Sequence, residues 1–224
     1  MESMWPPFGL TIRASDTTHP GVELRVMRDE DIEDIAAIAG VAPEDIYGAD
    51  IPDYAFPWLF NPRMNTPAAA AQFRWSNRAQ LRPEKWSLDF IVCDAHSGEI
   101  LGTIDARAED FARTREIATG SWVFHRFQGQ GVGTLIRHAV VAFGLDYLGA
   151  QAMSTSWVAH NEASARVSQK LGYQVVSEGE EKAGPQNSSQ RHVTARVAAY
   201  NYKRPDDLCV EVSGLSQQLL GMLR

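Results

Sequence analysis

The segment Gln128-Gly129-Gln130-Gly131-Val132-Gly133 constrains this chain more than any other. Its glycines follow the apolar run Trp122-Val123-Phe124 and lead into Val132, Leu135, Ile136, Ala139, Val140, Phe143 and Tyr147, which recur at helical spacing. A strand that turns on glycine into a helix leaves the first helical N–H groups without internal partners, at the end made positive by the helix dipole. Glycine also lets an anion approach the backbone and accepts positive φ. The turn therefore reads as a phosphate or pyrophosphate cradle, with Arg126 and Arg137 adding charge on either side.

Two nucleotide-binding patterns do not fit. A dinucleotide fingerprint requires G-x-G-x-x-G and an acidic residue about 20 positions on, whereas Gly129, Gly131 and Gly133 give G-x-G-x-G without that acid. A P-loop requires a lysine after its last glycine, and Thr134 stands there instead.

The remaining pattern predicts strands at Leu10–Arg13 and Val22–Arg25, then a helix started by Arg28-Asp29-Glu30-Asp31, carried by Ile32, Ile35, Ala36 and Ala39 and stopped by Gly40. From Val41 to Pro67 five prolines punctuate an irregular, aromatic-rich stretch. It is too apolar for a bare linker. A helix over Ala68–Leu81 follows, then a hairpin of Trp86–Cys93 and Glu99–Asp105 around His96-Ser97-Gly98, and one strand over Arg115–Phe124. After the long helix come a strand at Gln151–Trp157, a helix at Asn161–Lys170 closed by Gly172, and strands at Tyr173–Ser177 and His192–Ala198 around a polar loop. Hairpin strands followed by strand–helix–strand–helix–strand units indicate a mixed α/β domain.

At 224 residues the chain suits one substantial domain. Its net charge of −7 argues against a nucleic-acid partner and suits a cationic acceptor such as an amine. No apolar run approaches the ~20 residues of a membrane span, and Met1–Pro7 lacks the features of a signal peptide, so no membrane association and a cytoplasmic location are expected. Cys93 and Cys209 lack metal-type spacing, so no metal is expected, and the apolar run around Cys93 marks it as a buried structural thiol.

Gln128-x-x-Gly131-x-Gly133 resembles the Q/R-x-x-G-x-G/A signature of the GNAT acetyltransferase superfamily. Asn161-x-x-Ser164 through Lys170-Leu171-Gly172-Tyr173 resembles the N-x-x-S…K-L-G-F/Y segment of its RimJ/RimL-like branch, which acetylates protein N-termini. The resemblance covers roughly Leu10–Tyr200. It implies a GNAT fold, a mixed and mostly antiparallel twisted sheet flanked by helices with splayed central strands, in one domain over 1–204 with a tail at 205–224. The implied co-substrate is acetyl-CoA or another acyl-CoA. Its pyrophosphate falls to Gln128, Gly129, Gln130, Gly131, Val132, Gly133 and Thr134, and its pantetheine arm to Val123, His125 and Asn161.

By the same resemblance Ser164 faces the thioester sulfur as a general acid, or else serves its own helix turn, and a main-chain N–H near Val123 holds the oxyanion. The base stays open. The family's glutamate would fall at Pro185, near Glu178, Glu180 and Glu181; Asp105, Glu116, Ser121 and His125 are the alternatives, with His125 beside the expected site. Tyr47, Phe56, Trp58, Trp75 and Trp86, with Arg63 and Met64, are candidates for the acceptor pocket, and Arg82, Arg113 or Arg115 for holding a dicarboxylate acyl tail such as succinyl. The expected activity is N-acylation of a small-molecule or protein amine, with a homodimer as one open assembly. A catalytically silent acyl-CoA-binding module is the alternative.

Overall fold

Alternating burial sets the two faces of the sheet on which the molecule is built. The computed structural model describes residues 2–34 and 41–224. In chain order the elements are β1 (Thr11–Ser15), β2 (Val22–Val26), α1 (Asp29–Asp34), α2 (Pro43–Tyr47), α3 (Pro67–Ala79), β3 (Lys85–Asp94), β4 (Ile100–Glu109), α4 (Phe111–Thr114), β5 (Glu116–Thr119), β6 (Ser121–Val123), α5 (Val132–Ala142), β7 (Ala152–Val158), α6 (Glu162–Lys170), β8 (Gln174–Ala183), β9 (Ser188–Ala198), β10 (Cys209–Ser213) and α7 (Gln217–Leu223). The end of the helix expected after Asp31, at Ile35, Ala36, Ala39 and Gly40, lies outside the described residues.

The sheet runs β10-β1-β2-β3-β4-β5-β7-β9-β8, with β6 also on β4. Every pairing is antiparallel except β5 with β7. The mixed, mostly antiparallel GNAT-type sheet is thus present. One face carries the main core, where α5 packs against β1, β2, β4 and β6. Nearly every α5 side chain is buried, since its neighbours surround it. The other face is covered by α1, α3 and the proline-rich stretch, which bury Met27, Ile46, Leu59, Ile91 and Cys93 in a second apolar cluster.

Two corrections to the expected elements shape the site. The strand expected over Arg115–Phe124 is divided: Arg115 has φ 50° after the short α4, and the chain changes partners at Gly120. Before that glycine β5 runs parallel to β7; after it β6 pairs with β4 alone. This is the splay. The polar loop expected at Gly184–Ser189 is shorter, because β8 and β9 extend into a long hairpin. Its tip clasps the proline-rich stretch: Gly184 N–H donates to Ala55 O at 3.0 Å and Gln190 Nε2 to Asp53 O at 2.6 Å. A Cβ on Gly184 would lie 1.9 Å from Asp53 O, so only glycine permits this approach.

Residues 205–224, set apart above as a tail, pack as part of the same sheet. β10 pairs with β1 from Thr11↔Ser213 to Ser15↔Cys209, and Leu219 and Leu223 of α7 are fully buried. Trp86, one of the pocket candidates, lies in this core and donates its indole N–H to Leu223 O at 3.0 Å. Leu219→Ala should therefore cost about 2–5 kcal/mol, read as a lower denaturant midpoint. An unchanged midpoint would mean that α7 is a dispensable appendage.

Candidate active site

The glycine turn is open where an anion would lie. Gly129 and Gly131 have φ 74° and 90°, and a Cβ at Gly129, Gly131 or Gly133 would meet nothing within 4 Å. Gly131 caps α5, and Thr134 and Leu135 N–H both return to its carbonyl. Among the described residues the N–H groups from Gly129 to Gly133 donate to no protein group. Gln128 fastens the turn from behind, its Nε2 donating to Ile46 O at 2.6 Å and Val123 O at 2.8 Å.

A cleft of about 470 Å³ runs from this turn between β6, α5 and α6. Gln128, Gly129, Gly131, Gly133, Thr134, Val123, Asn161 and Ser164 all line it. Val132 is buried, leaving only its backbone for such a role, and the Gln130 side chain turns back to Arg126 O at 2.8 Å. Just after β6, Phe124 N–H is spent on Leu101 O of β4, so strand alternation aims Val123 N–H at the gap toward β7. Asn161 caps α6, accepting from Ser164 N–H at 3.1 Å, while the Ser164 hydroxyl bonds no group among the described residues.

Other expected residues lie elsewhere. His125 is exposed and off the cleft wall, its ring pressed against Gly48. Arg126 stacks over Phe124 and Phe127 and pairs with Glu99 at 3.2 Å, so it does not flank the cradle. The cations at the cleft are Arg137, Arg166 and Lys170. Arg166 and Lys170 escaped the sequence reading; their i, i+4 spacing, which puts both on one face of the Asn161-capped helix, was the available signal. Glu178, Glu180 and Glu181 sit on exposed β8, engaged by Arg191, Ser189 and His192. Glu116 pairs with Arg196 at 2.8 Å. Arg82, Arg113 and Arg115 lie near Glu84, Asp110 and the Phe111 ring respectively.

The cleft shares Phe56, Ser121 and Trp122 with a second chamber of about 370 Å³. Phe56, Trp58, Met64 and Phe73 give it apolar walls, while Asp89 and Asp105 bring in two carboxylates. Trp75 instead reaches Asp29 at 3.1 Å, and Arg63 is exposed outside the chamber. Asp105 accepts from Gly120 N–H at 3.0 Å and from Arg107 at 2.5 Å, fixing it at the residue where the strand splays. Burial pushes the Asp105 carboxyl up to about 6, and Asp89, opposite it in the β3–β4 register, pushes the same way; Arg107 and the Gly120 N–H offset part of this. The chamber adjoins an open groove of about 640 Å³, with which it shares Phe73, Asp89 and Asp105. Among the described residues no cluster of metal-ligating side chains occurs, and no helix is long and apolar enough to cross a membrane.

A model of the acetyltransferase (GNAT) domain matches residues 22–174, more than half of the chain. The chain belongs to the GNAT acetyltransferase family. This GNAT chain is similar in fold to Mycobacterium smegmatis RimJ, solved in complex with CoA-disulfide, at 17% identity and a TM-score of 0.68, with 89% of this chain and 91% of RimJ covered. The ribosomal-protein-S5-alanine acetyltransferase of Vibrio fischeri gives 15% identity and 0.62 over 82% and 96%. Spermidine N-acetyltransferase from Vibrio cholerae, in complex with CoA and spermine, gives 11% and 0.63 over 82% and 98%. At such identities the likeness concerns the fold of this GNAT chain.

Proposed function

We propose that this chain transfers an acyl group from acyl-CoA to the primary amine of a small molecule or protein, by direct attack and in the cytoplasm. One observation carries the reading: the cleft beside the glycine turn shares Phe56, Ser121 and Trp122 with an apolar chamber that holds two carboxylates. A donor in the cleft and an amine in the chamber would meet there.

Acyl-CoA supplies a thioester carbonyl open to nucleophilic attack. The free N–H groups of the glycine turn suit its pyrophosphate, with Arg166 and Lys170 adding charge from α6. Val123 N–H supports the role of oxyanion donor. An amine near pKa ~10.4 in water carries no free lone pair at neutral pH. Desolvation by the chamber's apolar walls lowers that value, Asp89 and Asp105 oppose this, and Asp105, ionised above about 6, takes the proton directly or through one water. Ser164, its hydroxyl free of partners among the described residues, hands a proton to the departing thiolate and regains one from the nitrogen as the amide forms.

The apolar walls favour an amine on an apolar body, and the adjoining groove leaves room for a longer chain. Mass spectrometry of candidate amines after incubation with acyl-CoA tests the assignment: N-acylated product is expected. Bound CoA without modification of any amine would leave the silent module, a reading prompted by Pro185 in place of the family glutamate and weakened by Asp105. Ser164→Ala should lower kcat roughly a hundredfold, with a smaller change in CoA affinity. Unaltered turnover would remove its acid role.

A further inference from the structure

Arg137 is only 4% exposed, yet it lines the donor cleft. It sits one turn beyond Gly133 on α5, and its Nη2 donates to Ser121 Oγ at 3.2 Å. Among the described residues Nε and Nη1 meet no well-aligned acceptor. A buried guanidinium with unspent donors is costly, because desolvation is not offset by a counter-charge. The Tyr173 hydroxyl, also buried, lies beside the guanidinium: burial raises the phenol, and the Arg137 charge with hydrogen bonding to Arg137 and Thr119 pulls it back down. Glu116, the acid close to this group, is held by Arg196. Ser121 and Tyr173 thus offer the guanidinium neutral hydroxyls only, and no free carboxylate among the described residues meets it.

Their position narrows what the acceptor is. Ser121 belongs to both the cleft and the chamber, so the group being transferred must lie beside it. The free N–H groups at the glycine turn, one helical turn away, already suit the pyrophosphate. A methyl group would leave the Arg137 donors unmet, whereas a carboxylate at the end of a short chain would satisfy them.

We infer that Arg137 receives the terminal carboxylate of a dicarboxylic acyl chain, making the preferred donor a succinyl-type acyl-CoA. This rests on the assignment of the cleft to acyl-CoA. The transfer keeps its balance: the N–C bond forms, the C–S bond breaks, one ammonium proton goes to Asp105, and the second, shed by the nitrogen as the amide forms, replaces the proton that Ser164 hands to the thiolate. Arg137 sets which acyl chain is presented.

Calorimetric titration of the intact protein with CoA, acetyl-CoA and succinyl-CoA tests the inference without turnover. Succinyl-CoA should bind roughly tenfold or more tightly than acetyl-CoA, the scale of one charge-assisted hydrogen-bonded contact. Arg137→Met, matched in length and apolar, should erase that ratio, and Arg137→Lys should keep part of it. Equal binding of the two thioesters by the wild type overturns the inference whether or not the variants fold. So does a preference that survives Arg137→Met. If none of the three ligands binds, the acyl-CoA reading falls with it.

Discussion

Replacing Gly133 by aspartate should lower CoA affinity on the order of a hundredfold, about 2.7 kcal/mol, while the fold stays intact. Gly133 lies in the first turn of α5 without positive φ, and a Cβ there meets nothing within 4 Å. The new side chain therefore strains no backbone and displaces no neighbour. An acidic group at a helix N-terminus is itself favourable by roughly 0.3–1 kcal/mol, so the melting temperature should hold or rise. Its charge, however, would occupy the space assigned to the pyrophosphate. Gly131→Asp is a poorer test, because φ 90° adds about 1–2 kcal/mol of strain to the electrostatic effect. Gly133→Ala, neutral and also unhindered, should bind CoA nearly as the wild type does. Calorimetry on both Gly133 variants separates charge from shape. Equal affinity of Gly133→Asp and wild type would remove the pyrophosphate from the turn.

Asp105→Asn should lower kcat by roughly 10²–10⁴-fold, the span of general base catalysis. The pH profile gives the sharper signature. The wild-type carboxyl is raised from 3.8 to about 6, so the rate should climb through that pH as the carboxylate forms and then level off. The variant should lose this limb. Stability should move the other way. A carboxyl whose folded pKa is raised contributes most below 3.8, and that contribution is lost as pH rises to about 6. Asparagine cannot ionise, so the variant should melt at or above the wild-type temperature at pH 8. A slow but stabilised variant fits a functional carboxylate held at some cost to the fold. Turnover kept with an unchanged profile would move the base to another residue.

The glycine turn and the helix behind it were legible because both depend on short-range rules: glycine spacing, helical periodicity and the free N–H groups of a helix start. The hairpin at His96–Gly98 and the helix from Asn161 to Lys170 were legible for the same reason. The division at Gly120 was not, since Arg115–Phe124 reads as one run and only its partners in space, β4 and β7 before and β4 alone after, separate its halves. β8 was underestimated because its residues from Gln174 to Lys182 are exposed, leaving no apolar face to reveal the strand. Residues 205–224 lay beyond the family resemblance, although Val210 and Val212 alternate as an edge strand requires. His125 and Arg126 follow β6 closely, and proximity in sequence placed them at the site. A 3₁₀ turn over His125–Phe127 carries both outward instead. Arg137 was noted for its charge, but its burial against Ser121 depends on the depth of α5 beneath the splay.

Release of free thiol from acyl-CoA, followed with and without a primary amine, tests the central claim most directly. The arrangement of cleft and chamber predicts slow release from the thioester alone and a saturable increase with amine, matched by the amount of acylated product. Release independent of amine, or none with any amine despite bound CoA, would contradict it.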